Sequence, residues 1–183
     1  MRPLLVLALL AAPALAQVVG ETQDFGVAPT GELRLREHAA PTPLEIRGAR
    51  TVGTAELRRL LSVPLGSPLS SPAGERPLVF DVISEERHAS LPGAVWLPGA
   101  GLGESFDDEV QKRLARTLAQ GSGGDRARSM VFFCANARCW LSYNAALRAV
   151  RLGYTGVLWY RGGIDAWGRS GGALVEPKLV WRD

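Results

Sequence analysis

The sequence predicts an α/β fold: an open parallel sheet with helices on both faces, forming a single domain preceded by an N-terminal arm. Three observations carry this. Continuous apolar runs recur at Leu78–Val82 (LVFDV), Met130–Cys134 (MVFFC) and Gly156–Tyr160 (GVLWY), and strands buried on both faces read this way rather than as alternating patterns. Helical segments separate these runs, which is the order of βαβ units. The 183 residues fall within the length of one domain.

The chain opens with MRPLLVLALLAAPALAQ. One positive charge, Arg2, precedes an apolar run from Pro3 to Ala16, and Ala14-Leu15-Ala16 fits a small-x-small cleavage pattern. The run has 14 residues, short of the ~20 that a spanning helix needs. A secretory signal peptide over 1–16 is therefore expected, cleaved after Ala16, with a periplasmic product and no membrane span after cleavage. Export also exposes the cysteines to an oxidising compartment. Residues 17–48 carry Pro29, Pro41 and Pro43 and read as an extended arm packed on the main domain.

The domain is expected over 49–177. It begins with a strand at Ala49–Val52, followed by a short helix, Ala55–Leu61, capped by Thr54 and apolar at Leu57, Leu60 and Leu61. Val63–Arg76 is a loop with three prolines. After the Leu78–Val82 strand, Ala94–Trp96 reads as another short strand. Phe106–Gln120 is a helix with Asp107, Asp108 and Glu109 in its first turn, ended by Gly121–Gly124. Trp140–Leu152 is a helix stopped at Gly153. Gly162-Gly163 leads into a short helix around Ile164–Trp167, and 178–183 form a tail.

Charge says little about function. The balance is 21 basic against 18 acidic residues, net +3, with the basic residues scattered among acidic ones. Steering toward polyanions is weak, and no nucleic-acid partner is expected. His38 and His88, the two histidines, lack zinc-ligand spacing to the cysteines, so no metal or other cofactor is expected.

The chemistry points to the two cysteines, Cys134 and Cys139. Cys134 ends a buried strand, and a helix begins a few residues later. Ligands bind at that carboxyl edge in open α/β sheets. The linking loop, Ala135, Asn136, Ala137 and Arg138, can aim backbone N–H groups at an anion, and the helix N-terminus adds positive potential. A sulfur there is favoured as thiolate, the nucleophilic form. Arg138 can bind an anionic substrate. Trp140, directly after Cys139, is a candidate wall of the sulfur pocket, and Ser142 and Asn144 are candidate hydrogen-bond partners at the helix start. Asp81 is expected to orient loop hydrogen bonds rather than to move protons. His88 is assigned no role, Arg161 is expected to be a solvated charge, and Trp96, Trp159 and Trp167 are expected in the core. A structural disulfide is the bland alternative, but a bridge across so short a loop stabilises little, which favours a functional pair. Such a pair either carries sulfur on Cys134 with Cys139 resolving it, or cycles as a thiol–disulfide couple.

Five segments resemble a rhodanese domain: TVGTAELRRLL at 51–61, LVFDV at 78–82, LPGAVWLP at 91–98, the Cys134–Cys139 loop, and VLWYRGGIDAW at 157–167. The stretch FFCANARCWLSYNAALRAVRLGY further resembles exported rhodanese-like proteins named for a two-cysteine-tryptophan motif and associated with PQQ-dependent catabolism. The resemblance implies a rhodanese-like sheet and a sulfurtransferase or sulfur carrier. Cys134 would be the nucleophile that becomes a persulfide, and Cys139 a resolving or modulating residue where such enzymes usually carry Arg, Ser or Thr. The implied partners are a small sulfur-containing anion or protein thiol and, by association, a periplasmic quinoprotein or cytochrome. Two alternatives stay open: a thiol–disulfide partner in quinoprotein or cytochrome maturation, and a non-catalytic binding module.

Overall fold

A computed structural model describes residues 20–62, 76–84 and 87–181. The signal peptide expected over 1–16 and nearly all of the proline-containing Val63–Arg76 loop lie outside the described residues. Among those described, no helix is long and apolar enough to cross a membrane.

The elements in chain order are β1 (Arg50–Val52), α1 (Thr54–Leu61), β2 (Leu78–Asp81), β3 (Val95–Trp96), α2 (Glu109–Ser122), β4 (Met130–Phe133), α3 (Trp140–Arg151), β5 (Val157–Tyr160), α4 (Gly163–Arg169) and β6 (Lys178–Leu179). They build one six-stranded sheet in the order β1-β5-β4-β2-β3-β6, and every strand pair is parallel.

Alternation along the strands divides the apolar residues between two cores. Val79, Val131, Phe133, Leu158 and Tyr160 pack on one face with Leu57 of α1 and with Ala166 and Trp167 of α4. Phe80, Met130, Phe132, Val157 and Trp159 pack on the other with Leu114 and Leu118 of α2 and with α3. Helices therefore cover both faces, as expected of a sheet whose strands are apolar on both sides. After β3 the chain returns to the far side of β2, so strand order reverses between β2 and β4. The carboxyl ends of those two strands, Asp81 and Phe133–Cys134, flank the crevice where open sheets bind ligands.

Several boundaries and roles differ from the sequence reading. The second helix starts at Glu109, because Asp108 is its N-cap and accepts from Gln111 N at 2.8 Å. It runs through Gly121 to Ser122, and Gly123 ends it at φ 61°. Thr54 is the first residue of α1 rather than its cap. The cap position is Gly53, which has no side chain, and Glu21 of the arm supplies the carboxylate, accepting from Thr54 N at 2.9 and 3.0 Å. The expected C-terminal tail contributes β6, which pairs with β3 at the sheet edge. Beyond it Trp181 is buried and donates to Thr117 at 2.9 Å.

Two buried guanidiniums hold the irregular segments. Arg148 of α3 pairs with Asp108 at 2.9 Å and donates to the carbonyls of Leu102 and Ser105. Arg161 is 1% exposed, not a solvated charge. It donates to the carbonyls of Gly20, Glu21, Gln23 and Thr42 and to Thr42 Oγ1. Burial lowers its pKa from the ordinary arginine value, against the nearby acids Asp24 and Glu21. The arm is further tied by Tyr143 to Thr30 and by Asn144 to Arg34. Asn144 thus serves the arm, not the start of its own helix.

Arg161→Leu is expected to leave four arm carbonyls without their donors, that of buried Thr42 among them, costing about 3 kcal/mol. Faster amide hydrogen exchange at 20–42 than in the sheet checks it. A second expectation concerns acid. Burial pushes the Asp108 carboxyl up, but Arg148 and the amides of Gln111, Ser105 and Glu104 outweigh it and bring the pKa from 3.8 to about 2. The folded value lies below the unfolded one, so the contribution is complete above about pH 4 and is lost as pH falls toward about 2, a loss of about 2 kcal/mol. Denaturant midpoints across that window should fall in the wild type and flatten in Asp108→Asn.

Candidate functional site

The six residues from Cys134 to Cys139 form a closed, heavily braced loop. Cys134 leaves β4 at 3% exposure, and Cys139 is the extended N-cap of α3. The two are disulfide-bonded, with their Cα atoms 6.1 Å apart. Asn136 ties the loop internally: its Oδ1 accepts from Arg138 N at 2.9 Å and its carbonyl from Cys139 N at 3.1 Å. Its Nδ2 donates to Asp165 at 3.0 Å.

The first turn of α4 braces the same loop. Ile164 N donates to the Cys134 carbonyl at 3.1 Å and Asp165 N to that of Ala135 at 3.0 Å. This approach explains the second glycine of Gly162-Gly163. Gly163 has φ 61°, and a Cβ there would collide with the Cys134 carbonyl.

The arm runs along the other side. Ala39 forms an antiparallel bridge with Cys139, and Trp140 N donates to the His38 carbonyl at 2.9 Å. Thr42 donates twice to the Ala137 carbonyl, from Oγ1 at 2.7 Å and from N at 3.2 Å. The amides of Arg138, Cys139 and Trp140, at the end of the loop and the start of the helix, are thus already committed to protein carbonyls or to the Asn136 side chain.

A cleft of about 430 Å³ opens over the disulfide. It is lined by Cys134, Ala135, Asn136, Arg138 and Cys139 of the loop, by Ile83 and Ser84 after β2, by Leu141, and by His38 and Ala39 of the arm. Among the described residues Arg138 is the one permanently charged lining residue, which biases the cleft toward anions. The Arg138 guanidinium also lies 5.6 Å from the Phe25 ring centre. Two other cavities, of about 490 and 550 Å³, contain neither cysteine.

Of the residues singled out in the sequence, Cys134, Cys139, Ala135, Asn136 and Arg138 meet in this cleft. Ala137 and Trp140 do not line it. Ala137 is buried under Thr42, and the Trp140 side chain turns into the arm, donating to Pro41 at 2.9 Å beneath the Arg34 guanidinium. Successive residues at a helix start point about 100° apart around its axis, so adjacency to Cys139 does not give adjacency to sulfur. Leu141 takes the wall position instead. Ser142 lies below the loop, accepts from Trp159 at 3.0 Å and reaches the Cys139 carbonyl at 3.4 Å.

Asp81 is fully buried and serves the opposite wall. It accepts from Ile83 N at 3.0 Å, from His88 Nε2 at 2.8 Å and from Ser90 Oγ. His88, assigned no role above, is therefore a core partner of Asp81, packed edge-on against Trp96. Together with the bond from Trp96 to the Ile83 carbonyl, this fixes the backbone that carries Ile83 and Ser84. The sequence reading also missed His38 as a lining residue. Its proximity to Cys139 follows from backbone pairing, which leaves no side-chain signature.

The rhodanese-like domain family model matches residues 69–170. Among solved structures, the thiosulfate sulfurtransferase from Pseudomonas aeruginosa superposes with a TM-score of 0.50 at 18% identity, covering 75% of this chain and 22% of that one. The chain thus spans under a quarter of that enzyme. Ygr203w, a yeast protein tyrosine phosphatase of the rhodanese family, superposes with a TM-score of 0.50 at 21% identity, covering 68% and 88%. No match was found among curated proteins. The family match covers more than half of the chain, and the parallel sheet, the loop after β4 and the glycine pair braced against it fit that match: the chain belongs to the rhodanese-like domain family.

Proposed function

We propose that this protein is a periplasmic sulfurtransferase or sulfur carrier that forms a persulfide on Cys134, with Cys139 closing a disulfide onto it. The observation that carries this reading is the joint position of the two sulfurs under one anion-biased cleft at the carboxyl ends of β2 and β4. In the oxidised form Cys134 has no thiolate, so the cycle begins with a dithiol reductant opening the bond. The Cys134 thiolate then attacks a sulfane sulfur of a thiosulfate- or polysulfide-type donor. The donor's S–S bond breaks and the remaining anion leaves with the electron pair. Arg138 holds the anion, and the braced loop keeps the sulfur oriented. The N-terminal export segment supports the periplasmic setting. The resemblance to PQQ-associated proteins supports a quinoprotein or cytochrome as the physiological partner.

The bonded pair itself favours a second reading, in which Cys134 and Cys139 exchange electrons with a partner dithiol and carry no sulfur.

One experiment separates the two. Reduced protein is incubated with thiosulfate or polysulfide and weighed intact. Sulfur transfer predicts a gain of about 32 Da that Cys134→Ser abolishes and Cys139→Ser preserves for longer. No gain with any donor, alongside reversible disulfide turnover with a dithiol protein, would establish the redox reading instead.

A further inference from the structure

The arm brings one titratable side chain to the cysteine cleft. His38 lines it together with Cys134, Cys139 and Arg138. Its backbone is fixed on both sides: its carbonyl accepts from Trp140 N at 2.9 Å, and Ala39, the next residue, bridges to Cys139. The ring is fixed as well, with Nε2 2.9 Å from the Arg34 carbonyl. A carbonyl only accepts, so Nε2 carries hydrogen and Nδ1 is the nitrogen left to exchange a proton.

Among the described residues, the charged groups around the ring are few. Arg34, on the same segment, pairs with Glu37 at 3.0 Å and lies over Trp140. Arg138 faces the cleft from the loop, and Ile83 and Ser84 line it from the opposite wall. Among the described residues, no carboxylate lines the cleft to compete for a thiol proton. Holding the arm does not require an imidazole, because Arg161, Thr42, Tyr143 and Asn144 do that.

We propose that His38 is the acid–base group of the cysteine pair, taking the proton of Cys139 as its sulfur attacks Cys134 and delivering it to the sulfur that leaves. This rests on the two cysteines reacting with each other, as in the reading above, and not on which donor loads Cys134. With Cys134 carrying a persulfide, a bond forms from the Cys139 sulfur to Cys134 Sγ, and the bond from Sγ to the outer sulfur breaks. The outer sulfur departs with the electron pair and, with the proton from His38, becomes hydrosulfide. The two cysteine sulfurs lose two electrons together, and the outer sulfur gains them.

The test uses the whole chain carrying Cys134→Ser, so that Cys139 is the single thiol. Its alkylation by iodoacetamide is followed from about pH 5 to about pH 9, with and without His38→Gln. The glutamine keeps an N–H for the Arg34 carbonyl and removes only the titrating ring, and His38→Asn is the second variant. With His38, reactivity should begin to rise at a lower pH than in either variant, whose profiles should follow the thiol alone. At about pH 7 the variants should react at least about tenfold more slowly. Superimposable profiles, with unchanged thermal unfolding, overturn the proposal. The sulfur-transfer reading fails separately, on the mass gain at Cys134. An altered Cys139 profile without that gain keeps the proton role and discards sulfur transfer.

Discussion

The site depends on a charge taken out of water. Arg161 sits at the end of β5 at 1% exposure, and such a guanidinium is tolerated only when its donors are satisfied. The arm satisfies them with backbone carbonyls at Gly20, Glu21, Gln23 and Thr42. That collection brings Thr42 over Ala137, and a few residues earlier it brings His38 and Ala39 against Trp140 and Cys139. The arm is thus one wall of the cysteine cleft rather than an appendage. Phe25 reinforces it, lying between the guanidiniums of Arg161 and Arg138 at 5.1 and 5.6 Å.

The arm changes what the loop can offer. A strand-to-helix loop at a sheet's carboxyl edge attracts anions because its amides and the helix N-terminus are unsatisfied. Here the His38 carbonyl takes the first amide of α3, and Asn136 takes those of Arg138 and Cys139. Attraction for an anion therefore shifts toward the exposed charge of Arg138 and toward the first half of the loop, at Ala135 and Asn136. The persulfide chemistry proposed for Cys134 fits that half, and the proton chemistry proposed for Cys139 fits the half lying against the arm.

What was legible in the sequence follows from what leaves a pattern. β2, β4 and β5 were legible because burial on both faces demands unbroken apolar runs. The cysteine loop and Gly162-Gly163 were legible because their residue types are themselves the constraint. β6 was not: Lys178 and Leu179 are exposed, and their pairing with β3 is a backbone matter at an edge. Arg161 and Arg148 look like surface charges until the segments that enclose them are folded. Trp140 misled because sequence adjacency was read as spatial adjacency, while the helix start turned its ring into the arm. Glu21 as a cap for α1 was beyond reach, since the partners are 33 positions apart and Gly53 hides the cap it lacks.

The bond between Cys134 and Cys139 contributes little that the fold lacks without it. A loop this short loses little freedom on closure, so the entropic gain is at the low end, about 2 kcal/mol. The loop is meanwhile pinned by Asn136, by two amides of α4 and by Thr42 and His38 of the arm. None of those bonds involves a sulfur, so opening the disulfide leaves the braces in place. A bridge that the native state does not need for its shape is free to open and close as chemistry requires. Exposure also orders the two sulfurs: Cys134 is buried at the end of β4, whereas Cys139 is partly exposed beside the arm. In the chemistry proposed above, an incoming thiolate meets Cys139 first, and Cys134 is then the leaving group, released as thiolate on the side of the loop whose amides the arm has not taken.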